Sequence, residues 1–266
     1  MSGGDGKKFM MNKSIENKRE SRLFKAHLPT NFKIPRDVIG QRIFREYGAL
    51  FVAGGGAVAP NAAIFKSEAE VEEFQASVST AREIVGGYDI ELQKAAMESL
   101  KNAIKEAAQV DLTLTPRGAD AAKRNYAGTV ELWASRVNPG LEHWIEQGKL
   151  DEKRAAKIRA LSPSEQVPEI FKLEANGIFF SKNLSKSIIF SVAPPGTSQH
   201  LSMLALDVSE HDDSRVREIL ANHGWFQTVV SDLPHFTFLG VQENQLSGLG
   251  LKQVFDGGRS FWLPNL

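Results

Sequence analysis

The sequence predicts an α+β fold: an antiparallel β-sheet with flanking helices, preceded by a mostly helical N-terminal region. Three observations carry this expectation. Apolar residues recur at helical spacing through the first two-thirds of the chain, most cleanly at Leu92, Ala96, Leu100, Ile104 and Ala107. After Gly177 the texture changes to short apolar or alternating runs separated by turn residues. Helices gathered in one part of a chain and strands in another is the α+β order, not the βαβ alternation of a parallel sheet. With 266 residues, 42% hydrophobic and 24% charged, the chain is long and apolar enough to bury a sizeable core.

Taken in order, residues 1–30 read as a mobile arm or a surface helix, residues 31–109 as a helical region packed on a catalytic domain, and residues 110–266 as that domain. Pro35-Arg36-Asp37 opens a short helix through Gly48. Ala49–Ala53 and Val58–Phe65, divided by Gly54-Gly55-Gly56, read as a hairpin or two extended segments. No Gly-Lys-Ser/Thr follows the triple glycine, so it is a turn and not a phosphate loop. Ser67 with Glu70 forms a capping box, and Val71, Phe74, Val78 and Ile84 extend the helix to Gly86-Gly87. Glu91–Ala108 is the amphipathic helix noted above. Val110–Thr115 alternates apolar and polar residues, predicting a half-buried strand that joins the C-terminal sheet. Pro116 ends it, a helix from Ala119 to about Val137 follows, and residues 138–176 are helical with breaks at Pro139, Gly148 and Pro163. Strands are expected at 178–180, 188–190, 204–206, 226–230 and 236–238, interrupted by a helix over Ser214–His223.

Composition excludes several function classes. Lys plus Arg (32) equals Asp plus Glu (32), which argues against a chain that grips nucleic-acid phosphates. No run approaches 18 consecutive apolar residues, so no transmembrane segment is expected. Cysteine is absent, which removes disulfides, thiolate-held metals and thiol nucleophiles. Chemistry must therefore rest on His, carboxylates, hydroxyls, Lys or Arg. The first 27 residues are basic and lack the apolar stretch of a secretory signal, while Gly-rich Met1–Gly6 resembles an expression leader. The expected address is periplasmic or extracytoplasmic if a signal has been removed, and cytoplasmic otherwise.

Of six histidines, two stand near strand ends with carboxylates beside them. His200 precedes Asp207 in Leu204-Ala205-Leu206-Asp207-Val208, and Asp232 precedes His235 in Ser231-Asp232-Leu233-Pro234-His235. Two His and one Asp form a complete protein ligand set for catalytic zinc, and a spare carboxylate suits proton transfer from its water. Asp207 within an apolar strand needs a partner, and a metal is one such partner. Spacing alone leaves surface or satisfied core histidines as the alternative.

The same segments resemble the signatures of the zinc D-alanyl-D-alanine carboxypeptidase and dipeptidase family (VanY/VanX-like), whose fold is shared with hedgehog and lysostaphin-type domains. Its first motif runs Ser-x-His-x-x-Gly-x-Ala-x-Asp, matched by Ser198, His200, Ala205 and Asp207; its second runs Glu-x-Trp-His, matched in outline by Asp232 and His235. The likeness spans about residues 190–240 and extends less firmly from about 110. It implies that His200, Asp207 and His235 hold Zn²⁺, that Asp232 is the general base, and that Ser198 contacts substrate. It also implies an Arg between a strand end and a helix to bind the substrate carboxylate, a place that Arg117 fills, with Arg159 as competitor. Met203 replaces the motif's Gly, Pro234 its Trp, and Asp232 its Glu. The implied activity is hydrolysis of the terminal D-Ala-D-Ala bond of peptidoglycan stem peptides. The alternatives are a zinc-containing cell-wall peptide-binding module and an endopeptidase. Trp225 is read as core ahead of groove wall, and Glu210–Asp213 as a solvated helix start ahead of a second cation site.

Overall fold

A computed structural model describes residues 22–266. The arm expected over residues 1–30 therefore lies outside the described residues as far as Ser21. Over residues 22–26 the chain is helical, and Phe24 is fully buried against Phe44.

Helix α1 (Val38–Tyr47) starts where Asp37 Oδ1 accepts the Gly40 N–H at 2.8 Å, satisfying a free first-turn donor. The Ala49–Ala53 run is not extended: a 3₁₀ helix occupies Gly48–Val52, every residue of it buried. A run apolar on all sides carries no periodicity, so sequence alone cannot separate strand from helix there. Helix α2 (Glu68–Ser77) has the expected Ser67 cap but stops at Ser77. The residues beyond it form a hairpin of β1 (Thr80–Val85) and β2 (Tyr88–Gln93). Gly86 and Gly87 both take positive φ, the conformation that a two-residue hairpin turn requires. Ile84 is consequently exposed and not part of a helical stripe. Helix α3 (Lys94–Gln109) follows, burying Ala96, Leu100 and Ala107.

Val110–Thr115 is not a strand. Leu112 N–H turns back to Ala107 C=O at the end of α3, and the Glu210 carboxylate takes the Thr115 N–H at 2.8 Å. With one donor captured by a side chain and none on Pro116, only a single antiparallel bridge forms, Pro116 to Val208. The helix expected from Ala119 begins instead at Tyr126, where Asn125 Oδ1 accepts Gly128 N–H; α4 runs Tyr126–Glu146 straight through Pro139. Helices α5 (Glu152–Arg159) and α6 (Pro163–Glu174) complete this half.

Beyond Gly177, residues 178–180 and 188–190 are not strands; the latter form a 3₁₀ turn. The sheet consists of β3 (Ala205–Asp207), β4 (Trp225–Phe226) and β5 (His235–Phe238), antiparallel in the order β3-β5-β4, with α7 (Ser214–Asn222) between β3 and β4. A further hairpin of β6 (Leu251–Asp256) and β7 (Arg259–Pro264) was not expected, although Asp256-Gly257-Gly258 is a turn signal.

The fold is thus α+β with small antiparallel sheets. Two apolar clusters hold it. One joins α3, the three-stranded sheet and α7, drawing residues from both sides of position 109; the other joins α1, α4, α5, α6 and the 188–190 turn. No helix among the described residues is long and apolar enough to cross a membrane.

Candidate metal centre

Strand register brings two of the expected ligands together. Asp207 is paired directly opposite His235 across β3 and β5, so the two side chains share one face of the sheet. Leu206, Phe236 and Phe238 alternate onto the other face and pack in the first apolar cluster. His200 comes from a 3₁₀ turn over Gln199–Ser202, which ends in Met203 at φ 57°, in the left-handed region. That turn reverses the chain into β3. Glycine stands at this place in the motif that the sequence resembles, and the positive φ supplies the physical reason.

Three atoms converge: His200 Nε2 and His235 Nδ1 are 3.1 Å apart, and Asp207 Oδ1 lies 3.3 Å from the first and 3.2 Å from the second. Ligands about 2.0–2.1 Å from a tetrahedral zinc stand roughly 3.3–3.4 Å apart, so this triangle is the right size for one face of such a site. Among the described residues it is the one group of three or more His, Asp or Glu able to hold a metal ion.

The outer nitrogens fix both rings. His200 Nδ1–H donates to the Ala122 carbonyl at 2.7 Å. His235 Nε2–H donates to Gln199 Oε1 at 2.8 Å. The Gln199 amide cannot be reversed without loss, because its Nε2 donates to the Tyr47 carbonyl at 2.9 Å and its Oε1 also accepts from the Thr237 hydroxyl. Both inward nitrogens therefore present lone pairs, the state a metal ligand needs, and each ring has the carbonyl partner typical of ligating histidine. Burial lowers the His200 pKa, favouring the neutral ring. Asp207 keeps its charge through its outer oxygen, which the Arg124 guanidinium pairs. The donor set, two neutral imidazoles and a carboxylate, fits zinc or a similar borderline divalent ion.

One guanidinium reaches this cluster, and it is Arg124: its Nη2 donates to Asp207 Oδ2 at 2.9 Å, with both side chains largely buried. Arg117, expected in the site, is elsewhere. Its backbone N–H donates to Asp207 C=O, but its side chain is exposed, does not line the cavity, and lies among the cations beside His211. Arg159 is also exposed and pairs with Glu142. The resemblance places its Arg directly before a helix; the helix starts at the Asn125 cap, and the Arg directly before that cap is Arg124. Gln199, standing between Ser198 and His200, was also missed; no sequence signal distinguishes it from a surface amide.

Beside the triangle opens a cavity of about 240 Å³, lined by Ser198, His200 and His235, and by Asp232, Arg124 and Arg136. Of the expected residues, Ser198 and Asp232 therefore sit on the wall of the cavity that the two histidines face. Asp232 is exposed. Trp225 is fully buried against Phe238 and belongs to the core. The carboxylates of the 210–213 run are already engaged: Glu210 accepts from Thr115, Asp213 caps α7 and Asp212 pairs with Arg259.

Comparison of the chain with protein-family models, with curated proteins and with solved structures finds no match.

Proposed function

We propose that the chain is a zinc metallopeptidase that removes the terminal D-alanine from D-Ala-D-Ala-ended peptidoglycan stem peptides. The observation that carries this reading is the convergence of His200 Nε2, Asp207 Oδ1 and His235 Nδ1 on the wall of a cavity that Ser198 and Asp232 also line. These are the residues that the resembling motifs assign to metal, substrate and base. Bound there, zinc supplies a Lewis acid for the peptide carbonyl and lowers the pKa of its water towards neutrality.

The chain's own groups do the rest. Asp232 accepts the proton of the attacking water and returns it to the departing amine as the C–N bond breaks. Ser198, whose hydroxyl makes no hydrogen bond among the described residues, is placed to bind the peptide backbone. Arg124 holds Asp207 by its outer oxygen and so fixes the direction of its inner one. Such a substrate implies an extracytoplasmic address.

A second reading is favoured by Asp232 itself. It is one methylene shorter than the motif's Glu, and misplacement on that scale lowers rate by orders of magnitude. With the base blunted, the same zinc-bearing cavity would serve as a cell-wall peptide-binding module. Metal analysis by mass spectrometry, joined to a D-alanine release assay, tests both. One zinc per chain that disappears in a His200→Ala/His235→Ala variant, with release of D-alanine, is the expected result. Zinc without release supports the binding module. A protein that takes up no zinc at neutral pH overturns both.

A further inference from the structure

A cationic group outside the cavity serves neither the metal triangle nor the proposed reaction. The turn after β3 gathers three arginines around His211. Arg217, on α7, gives its Nη1 to the His211 carbonyl at 2.9 Å and to the Asp212 carbonyl at 2.8 Å. Arg259, at the start of β7, gives its Nη1 to the same His211 carbonyl at 3.0 Å. Two guanidiniums thus meet on one oxygen. Arg117 joins them from the chain beside β3: Pro116 is bridged to Val208, the Arg117 N–H donates to the Asp207 carbonyl, and its charge acts on His211.

Carboxylates do not balance this group. Asp212 pairs with Arg259, and there the cation is the buried member, 11% exposed against 78% for the carboxylate. Water therefore screens the negative charge more than the positive one. Asp213 is committed to Arg215 and to the α7 cap, and Glu210 to Thr113 and Thr115. Among the described residues, neither Arg117 nor Arg217 has a carboxylate within ion-pair distance. Three guanidiniums against one carboxylate leave a surplus of two positive charges. Burial and the Arg259 charge lower the pKa of Arg217, the mark of a cation short of counter-ions. Burial also favours the neutral ring of His211, whose Nδ1 receives Arg259 Nη1 at 3.3 Å. The ring proton is then on Nε2, and among the described residues no acceptor takes it.

We propose that Arg117, Arg217 and the His211 Nε2–H bind a doubly charged phosphate group, free or as the terminal phosphate of an ester, with Arg259 adding its charge. The surplus of two positive charges matches a dianion, and planar guanidiniums suit its oxygens. The site is separate from the metal triangle and does not depend on the proposed function.

The test is calorimetric titration of the full chain with inorganic phosphate, glycerol 3-phosphate and dimethyl phosphate. It is run at constant ionic strength and about pH 8, where a phosphate monoester carries two charges. Protein as purified and chelator-treated protein should both bind one phosphate per chain. Dimethyl phosphate, with a single charge, should bind about tenfold more weakly or worse. Equal affinity for glycerol 3-phosphate assigns the site to the phosphate end of an ester, and binding of inorganic phosphate alone assigns it to the free ion. Arg217→Gln should weaken phosphate binding by about tenfold, as loss of a charged hydrogen-bond donor does. Arg117→Gln should weaken it by about two- to fivefold. Arg117 is exposed, so that variant keeps the parent's melting temperature and its loss of binding is not unfolding. Arg136→Gln, in the metal cavity, should bind as wild type does. The proposal is overturned if wild type shows no saturable binding, or if Arg117→Gln or Arg217→Gln binds phosphate as tightly as wild type. It is equally overturned if chelator or Arg136→Gln abolishes binding, which would place the phosphate in the metal cavity.

Discussion

His200 Nε2 and His235 Nδ1 face each other across 3.1 Å without a proton between them, because each ring carries its proton on the far nitrogen, which donates it in a hydrogen bond to a carbonyl. Two lone pairs at that distance, with the Asp207 carboxylate beside them, concentrate negative potential in a buried place. A cation relieves it. Stoichiometric zinc should therefore raise the melting temperature, and a chelator should lower it. At zinc about 100-fold above its dissociation constant the stabilisation is about 2.7 kcal/mol, or roughly 5–10 °C for a chain of this size. The His200→Ala/His235→Ala variant should show no zinc-dependent shift. A parent whose melting curve ignores both zinc and chelator contradicts the metal reading.

The metal triangle was legible in the sequence through the motifs it resembles, since spacing alone left surface or satisfied core histidines open; its residues lie on a turn, a strand and a strand start. His235 and Asp207 needed only antiparallel pairing to meet. What surrounds them was less legible, for identifiable reasons. Glu210 takes a backbone donor of Thr115 and so cancels the strand that alternation at 110–115 predicts, an effect that acts over 95 positions. The start of α4 depends on one Asn side chain, and placing it seven residues early moved the expected arginine from 124 to 117. Gly86-Gly87, read as a helix stop, is the turn of a hairpin whose exposed Ile84 imitates a helical stripe. The helices with clear caps, α1 and α7, fell where their sequences place them.

Asp232 carries the catalytic part of the proposed function. Asp232→Asn should leave zinc stoichiometry unchanged and lower kcat by about 10²–10⁴-fold, the usual contribution of a positioned general base. Asp232→Glu separates the two readings. In an enzyme whose pocket is shaped around Asp the change is neutral or harmful. A large gain from near-zero activity marks the binding module.

Arg124 stabilises the site through Asp207. The pair is mostly buried, so its removal costs more than a surface ion pair and less than a fully enclosed one, about 1–3 kcal/mol. Arg124→Gln should lower stability by that amount and weaken zinc binding about 10–100-fold, as loss of an outer-shell partner does. Zinc titration against a fluorescent chelator measures the second effect. Unchanged affinity with unchanged stability would show that Asp207 needs no outer partner.

Glu174 gives a pH signature away from the metal. Burial raises its pKa, only partly offset by hydrogen bonds from Ser187 and Ile188 and by the charge of Arg42. A carboxyl whose folded pKa exceeds its unfolded value of about 4.3 binds more protons in the folded state. Its contribution is fully present below that unfolded value and is lost as pH rises through the folded one. Glu174→Gln keeps an acceptor for the Ile188 N–H and removes the titration. Denaturant midpoints between pH 4 and 8 should therefore fall less steeply with pH in the variant than in the parent. Parallel curves would falsify this account of the buried carboxyl.

Met203 sets two effects against each other. Its left-handed backbone, φ 57°, costs a non-glycine residue about 1–2 kcal/mol. Its side chain is fully buried, and truncating a buried methionine to alanine costs about 2–5 kcal/mol. Burial wins, so both Met203→Gly and Met203→Ala should be destabilised. Their order is the informative part. At an ordinary buried position glycine is the worse substitute by about 0.5–1 kcal/mol. Here Met203→Ala loses the side chain and keeps the strain, whereas Met203→Gly loses the side chain and releases it. Chemical denaturation should therefore find the glycine variant the more stable of the two. Alanine ranking above glycine would mean that the turn carrying His200 bears no strain at this residue, and that the glycine of the resembling motif has another cause.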